Sequence, residues 1–133
     1  MKEGVLYCDG ASSGNPGESG IGVVLLLNDK SYEISEHIGI ATNNIAEYTA
    51  LLRGLSKAKG LKIERLKIFL DSELIVKQIQ GSYKVKNENL KALFQEALTH
   101  LKSFKAYAIN HIPREQNKRA DSLAKKAAAQ PSH

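Results

Sequence analysis

Val5-Leu6-Tyr7-Cys8-Asp9-Gly10-Ala11-Ser12-Ser13-Gly14-Asn15-Pro16-Gly17, near the start of the 133-residue chain, sets a β-favouring apolar run against Gly, Ser, Asn and Pro. It reads as a strand that delivers Asp9 to its end and then breaks into a loop. Outward from it, Ile21 to Leu27 is apolar and β-rich, Asn28-Asp29-Lys30 turns the chain, and Ser31 to Gly39 alternates. These segments predict a three-stranded antiparallel meander, in which Gly20 and Gly22 mark a bend or a close backbone approach.

Thr42-Asn43-Asn44 caps a predicted helix to Lys59, with Tyr48, Leu51, Leu52, Leu55 and Ala58 at helical spacing and Gly60 as its stop. Leu66 to Asp71 is a strand reached across that helix, so the right-handed crossover rule lays it parallel to the first strand. A short helix from Ser72 to Gln80, closed by Gly81, precedes an amphipathic one from Glu88 to Ser103. Ala106 to Ile112 is a last strand, Arg114 to Lys118 a polar loop, and a final helix runs to Ala129 ahead of Pro131. The order βββαβααβα predicts an α/β fold: one domain over residues 1–133, a five-stranded mixed sheet with helices on its faces.

Bulk composition narrows the function classes. A 42% hydrophobic, 25% charged chain without an apolar run of ~20 residues predicts a globular protein with no membrane span. Met1-Lys2-Glu3-Gly4 lacks an apolar signal region, and the single cysteine, Cys8, cannot form an internal disulfide, so a cytoplasmic address is expected. Nineteen Lys and Arg against fourteen Asp and Glu suit a polyanionic partner.

Asp9, Glu47, Asp71 and Asp121 recur at element junctions, and such acids gathered together would repel one another without cations between them. Each has a local explanation. Glu47 follows Asn44 by three, as in a capping box; Asp71 precedes a helix as a cap would; Asp121 suits a first helical turn. Their joint placement weighs the other way, because sites in open α/β sheets form beyond the carboxyl ends of parallel strands. A pair of Mg²⁺ ions ~4 Å apart needs a bridging carboxylate with others beside it, and no His or Cys. Gly10 to Gly17 lacks the Gly-Lys-Ser/Thr ending of a nucleotide-binding P-loop and leads into a strand, which argues against that alternative. His111, ten residues before Asp121, is a candidate proton carrier beside such a centre, although a lone strand-end histidine is more often structural.

Taken as a set, Asp9 to Gly17, Thr42 to Leu51, Asp71-Ser72-Glu73 and Pro113 to Ala124 resemble the type 1 ribonuclease H family, in the family's order and across nearly the whole chain. The resemblance implies the ribonuclease H fold and a monomeric, metal-dependent endonuclease that cuts the RNA strand of RNA·DNA hybrids to 5′-phosphate and 3′-hydroxyl ends. It implies Asp9 as the bridge between two Mg²⁺ ions, with Mn²⁺ as a substitute, Glu47 and Asp71 on the leaving-group side, and Asp121 on the water side. His111 is implied in proton transfer or product release. Gly10, Ser12, Asn43 and Gln78 are implied near the 2′-hydroxyl, and Asn15 and Thr42 at backbone phosphates. The seven residues Gly81 to Asn87, with Lys84 and Lys86, stand where many relatives carry a longer basic insertion, so this is expected to be a compact member. The alternatives are a hybrid-binding module of the same fold without catalysis, and a DNA-acting relative such as a resolvase or integrase core.

Overall fold

The computed structural model describes residues 2–130; Met1 and the expected helix stop at Pro131 lie outside the described residues. Three antiparallel strands come first, β1 (Glu3–Ser12), β2 (Gly17–Leu27) and β3 (Lys30–Ala41). Helix α1 (Asn43–Gly60) crosses to β4 (Arg65–Leu70), and α2 (Glu73–Ile79) and α3 (Glu88–Lys102) lead to β5 (Ala106–His111). A 3₁₀ turn (Arg114–Gln116) introduces α4 (Lys118–Ala129). The five strands lie in the order β3-β2-β1-β4-β5, with β1, β4 and β5 parallel.

Alternation along the strands divides the core. Leu6 and Cys8 of β1, with Ile21, Val23 and Leu25 of β2, face α1, whose Tyr48, Leu51 and Leu55 are fully buried against them. The opposite face, with Tyr7 and Val24, packs against Ala120 and Leu123 of α4. Gly20 and Gly22 make that contact possible: a Cβ on Gly22 would fall 2.0 Å from the Ala120 carbonyl oxygen, and one on Gly20 2.4 Å from the Ala128 nitrogen. The close approach expected there is present, and so is the bend, as a register shift between Ser19 and Gly20.

Two boundaries differ from expectation. Asp9 does not end its strand, since β1 continues in register with β2 to the pair Ser12↔Ser19. Hydrogen bonding holds this glycine- and serine-rich segment extended: the Ser12 and Ser19 hydroxyls lie 2.6 Å apart, with one donating to the other, and both stand within hydrogen-bond distance of the Ala41 carbonyl oxygen, at 3.0 and 3.1 Å. Gly60, expected to stop α1, is its last residue, and the left-handed turn that follows falls on Lys62 at φ 61°.

Candidate active site

Where β4 ends, β1 continues. The last rung of their parallel ladder is Cys8↔Leu70, so Asp9 and Asp71 are the next residues along the two neighbouring paths, at the opening beyond the end of that ladder. Glu47 reaches them from α1 because α1 lies directly on β1: a Cβ on Gly10 would sit 2.3 Å from the Ala46 carbonyl carbon and 2.4 Å from the Glu47 nitrogen. The Gly10 backbone there favours the ionised Glu47 carboxylate, a smaller effect than that of burial. Asp9, Glu47 and Asp71 each place a carboxylate oxygen within 4.8 Å of the others.

Thr42 Oγ1 accepts from the Ile45 amide at 3.2 Å as the cap of α1, so Glu47 has no capping duty. Ser72, not Asp71, caps α2. Asp121 does lie in the first turn of α4, where an acid is favoured, and its carboxylate meets Lys125 Nζ at 3.1 Å. It also lines the same cleft of about 400 Å³ and makes a side-chain contact with Asp9.

Electrostatics single out Asp9 and Glu47. Burial, with the neighbouring acids, pushes Asp9 from 3.8 up to about 7, and burial with the Asp9 charge pushes Glu47 well above the carboxylate range. Burial opposes ionisation of Asp121 too, but its contacts with Asp9, Lys125 and Arg114 hold it below the ordinary value. The Cys8 thiol, fully buried and pushed up by burial, behaves as a core residue. Three closely spaced carboxylates, two of them buried, form the donor set of a hard divalent cation, so these residues fit such an ion.

The remaining expected residues separate into two groups. Gly10, Ser12 and Asn43 line the acid cleft. Asn15 Oδ1 accepts from the Asn43 amide at 3.1 Å, tying the β1–β2 loop to the start of α1 beside Thr42. Gln78 lies elsewhere: it is 5% exposed, accepts from the Tyr48 hydroxyl at 2.6 Å, and borders a separate groove with Tyr83, Lys84 and Lys86. Tyr48→Phe should therefore leave Gln78 Oε1 unpaired and cost ~1–2 kcal/mol in urea denaturation, with the acid cleft unchanged. His111 is exposed at the end of β5, opposite Leu70, in a groove with Glu73, Lys77 and Gln80 beside the acid cleft.

Sequence reasoning missed three residues at this site. Arg114 and Lys125 line the cleft as cations, and Asn117, 2% exposed, donates from Nδ2 to Asp71 Oδ2 at 3.1 Å. Helical spacing signals Lys125, four residues after Asp121. Nothing in the sequence separates Asn117 from an ordinary helix cap.

Comparison with known proteins agrees with this geometry. Residues 7–127 match the family model described as "Reverse transcriptase-like". The "Bifunctional protein Rv2228c" of Mycobacterium tuberculosis is 39% identical over 92% of this chain, which spans only 35% of that longer protein. "Ribonuclease H" of Desulforamulus reducens is 33% identical over 99% of this chain and 91% of its own length. The solved structure of LC11-RNase H1 in complex with an RNA/DNA hybrid superimposes with a TM-score of 0.87 at 40% identity, covering 94% of this chain and 96% of that one. The five-stranded mixed sheet and the matches along nearly its whole length place this chain in the type 1 ribonuclease H family.

Proposed function

We propose that this chain is a single-domain endoribonuclease that hydrolyses the RNA strand of RNA·DNA hybrids, leaving 5′-phosphate and 3′-hydroxyl ends. The observation that carries the reading is the convergence of Asp9, Glu47 and Asp71 oxygens within 4.8 Å, with Asp121 on the same cleft. Asp9, Glu47, Asp71 and Asp121 would hold a pair of Mg²⁺ ions, or Mn²⁺ in their place, with Asp9 shared between them, Glu47 and Asp71 serving the leaving-group side and Asp121 the water side. Bound there, such ions lower the pKa of the attacking water and neutralise charge on the scissile phosphate.

The chain's own groups select and hold the substrate. Backbone groups from Gly10 to Ser12, with Asn43, line the cleft where a 2′-hydroxyl distinguishes RNA from DNA. Thr42 uses only an oxygen lone pair in capping, so its hydroxyl hydrogen is available to a phosphate, as is the Asn15 amide whose oxygen is engaged by Asn43. Lys125 and Arg114 set positive charge at the rim, toward the phosphate backbone. Among the described residues no helix is long and apolar enough to cross a membrane. A cytoplasmic monomer is proposed with this activity.

Labelled RNA·DNA, RNA·RNA and DNA·DNA duplexes incubated with Mg²⁺, Mn²⁺ or EDTA test this directly. Metal-dependent cutting of RNA in the hybrid alone is expected; cutting of DNA duplexes, or none of any duplex, overturns it. His111→Ala should lower kcat by ~10-fold or more with KM unchanged, as loss of a proton carrier would. Unaltered kcat would leave His111 as a surface residue at the end of β5.

A further inference from the structure

An asparagine just before a helix ordinarily turns its side chain onto the helix's free amides. Asn117 holds that place ahead of α4 and makes no such bond. Its side chain turns inward instead, and Nδ2 donates to the Cys8 carbonyl at 2.9 Å and to Asp71 Oδ2 at 3.1 Å. Both of those neighbours are acceptors, so exchanging Oδ1 and Nδ2 would set oxygen against oxygen, and the amide has one workable orientation. Its backbone carbonyl meanwhile accepts the Asp121 amide at 3.0 Å. One residue thus touches Asp71, the carbonyl of the residue before Asp9, and the amide of Asp121.

That arrangement works against local stability. It forgoes a cap, and it leaves Asn117 Oδ1 buried without a partner among the described residues. Departures of this kind concentrate where function requires them. The place matters as well: Cys8↔Leu70 is the last β1–β4 rung, so Asn117 Nδ2 occupies the spot where the ladder stops and the acids begin.

We propose that Asn117 is a positioning residue of the metal centre, holding the Asp71 carboxylate in its ligating orientation and locking the start of α4, with Asp121, onto β1. This rests on the acids being a metal centre and adds the device that sets their relative placement. A merely structural role, filling the gap beyond the last rung, predicts a different result.

The test is Mn²⁺ binding by titration calorimetry on the purified chain without nucleic acid, with folding checked by circular dichroism. Asn117→Ala should bind Mn²⁺ ~10- to 100-fold more weakly, as loss of a ligand's outer hydrogen bond does. Ser35→Ala, which removes a 2.8 Å bond tying β3 to the Leu123 carbonyl on α4 but touches no acid, should stay within about twofold of the parent. Folded Asn117→Ala with parental affinity overturns the proposal. Should that variant fail to fold, Asn117→Ser, too short to reach Asp71, is expected to show the same loss, and parental affinity there overturns it equally. A parent chain that binds no Mn²⁺ removes the metal-centre reading and this assignment with it, a result distinct from a binding parent with unaffected variants.

Discussion

Asp9→Asn should abolish hybrid cleavage, by ~10³-fold or more, while hybrid affinity stays close to that of the parent. Asp9 is 3% exposed and contacts both Glu47 and Asp121, so it is the acid common to both halves of the cluster. Asparagine keeps its volume and removes its charge, and it places an NH₂ or a neutral oxygen where the proposed metal position would need an anion. The phosphate contacts proposed for Thr42, Asn15 and the rim cations do not involve Asp9, so binding is expected to persist. Parental cleavage by this variant would show that Asp9 is not the bridge.

The same substitution should move stability the other way. The folded value of Asp9 is about 7 against an ordinary 3.8, so between those pH values the native state holds a proton that the unfolded state has released. Stability gained by holding that proton is complete at acid pH and is lost as pH rises through about 7. The metal-free protein should accordingly lose stability from pH 5 to pH 8, by on the order of a few kcal/mol, seen as a fall in Tm, with Glu47 adding in the same direction. Asp9→Asn should flatten that slope and raise Tm at pH 8 in EDTA, and Mg²⁺ should do likewise for the parent chain. A Tm in EDTA that rises over this window would contradict the burial of these charges.

How much of this was legible in the sequence depended on whether a residue's role was local. Thr42 and Leu51 announce α1 by capping and spacing, so the crossover to β4, and with it the neighbouring positions of Asp9 and Asp71, followed from chain topology. The extension of β1 through Gly10, Ala11 and Ser12 was not legible, because residues with poor strand propensity are kept extended there by the Ala41 carbonyl. Gln78 pointed to substrate by analogy, yet the Tyr48 hydroxyl draws its amide inward across a contact thirty residues apart in sequence. Asn117 shows the limit best. Its type and its place before α4 spell a cap, and only the end of β4 explains why the amide turns to Asp71. Where a side chain has two partners it could satisfy, the tertiary one cannot be read from spacing.

Gly22→Ala, a change of one methyl group, should cost ~3 kcal/mol or more and take activity with it. The new Cβ would lie 2.0 Å from the Ala120 oxygen, 2.7 Å from the Ala124 nitrogen and 2.9 Å from Leu123 Cβ. Two of those atoms are helix backbone, so no flexible side-chain tip can yield, and α4 as a body must move away from β2. Asp121 follows Ala120 directly, so any such movement carries the fourth acid away from Asp9 and pulls on the Asn117 contacts. Gly60→Ala gives the opposite sign: nothing lies within 4 Å of its Cβ, the residue is helical, and replacing glycine there should stabilise by up to ~1 kcal/mol. Urea denaturation of the two variants side by side, with hybrid cleavage measured on each, separates close packing from glycine content. A Gly22→Ala protein as stable and as active as its parent would mean that α4 does not rest on β2 at the distance that brings Asp121 into the cleft.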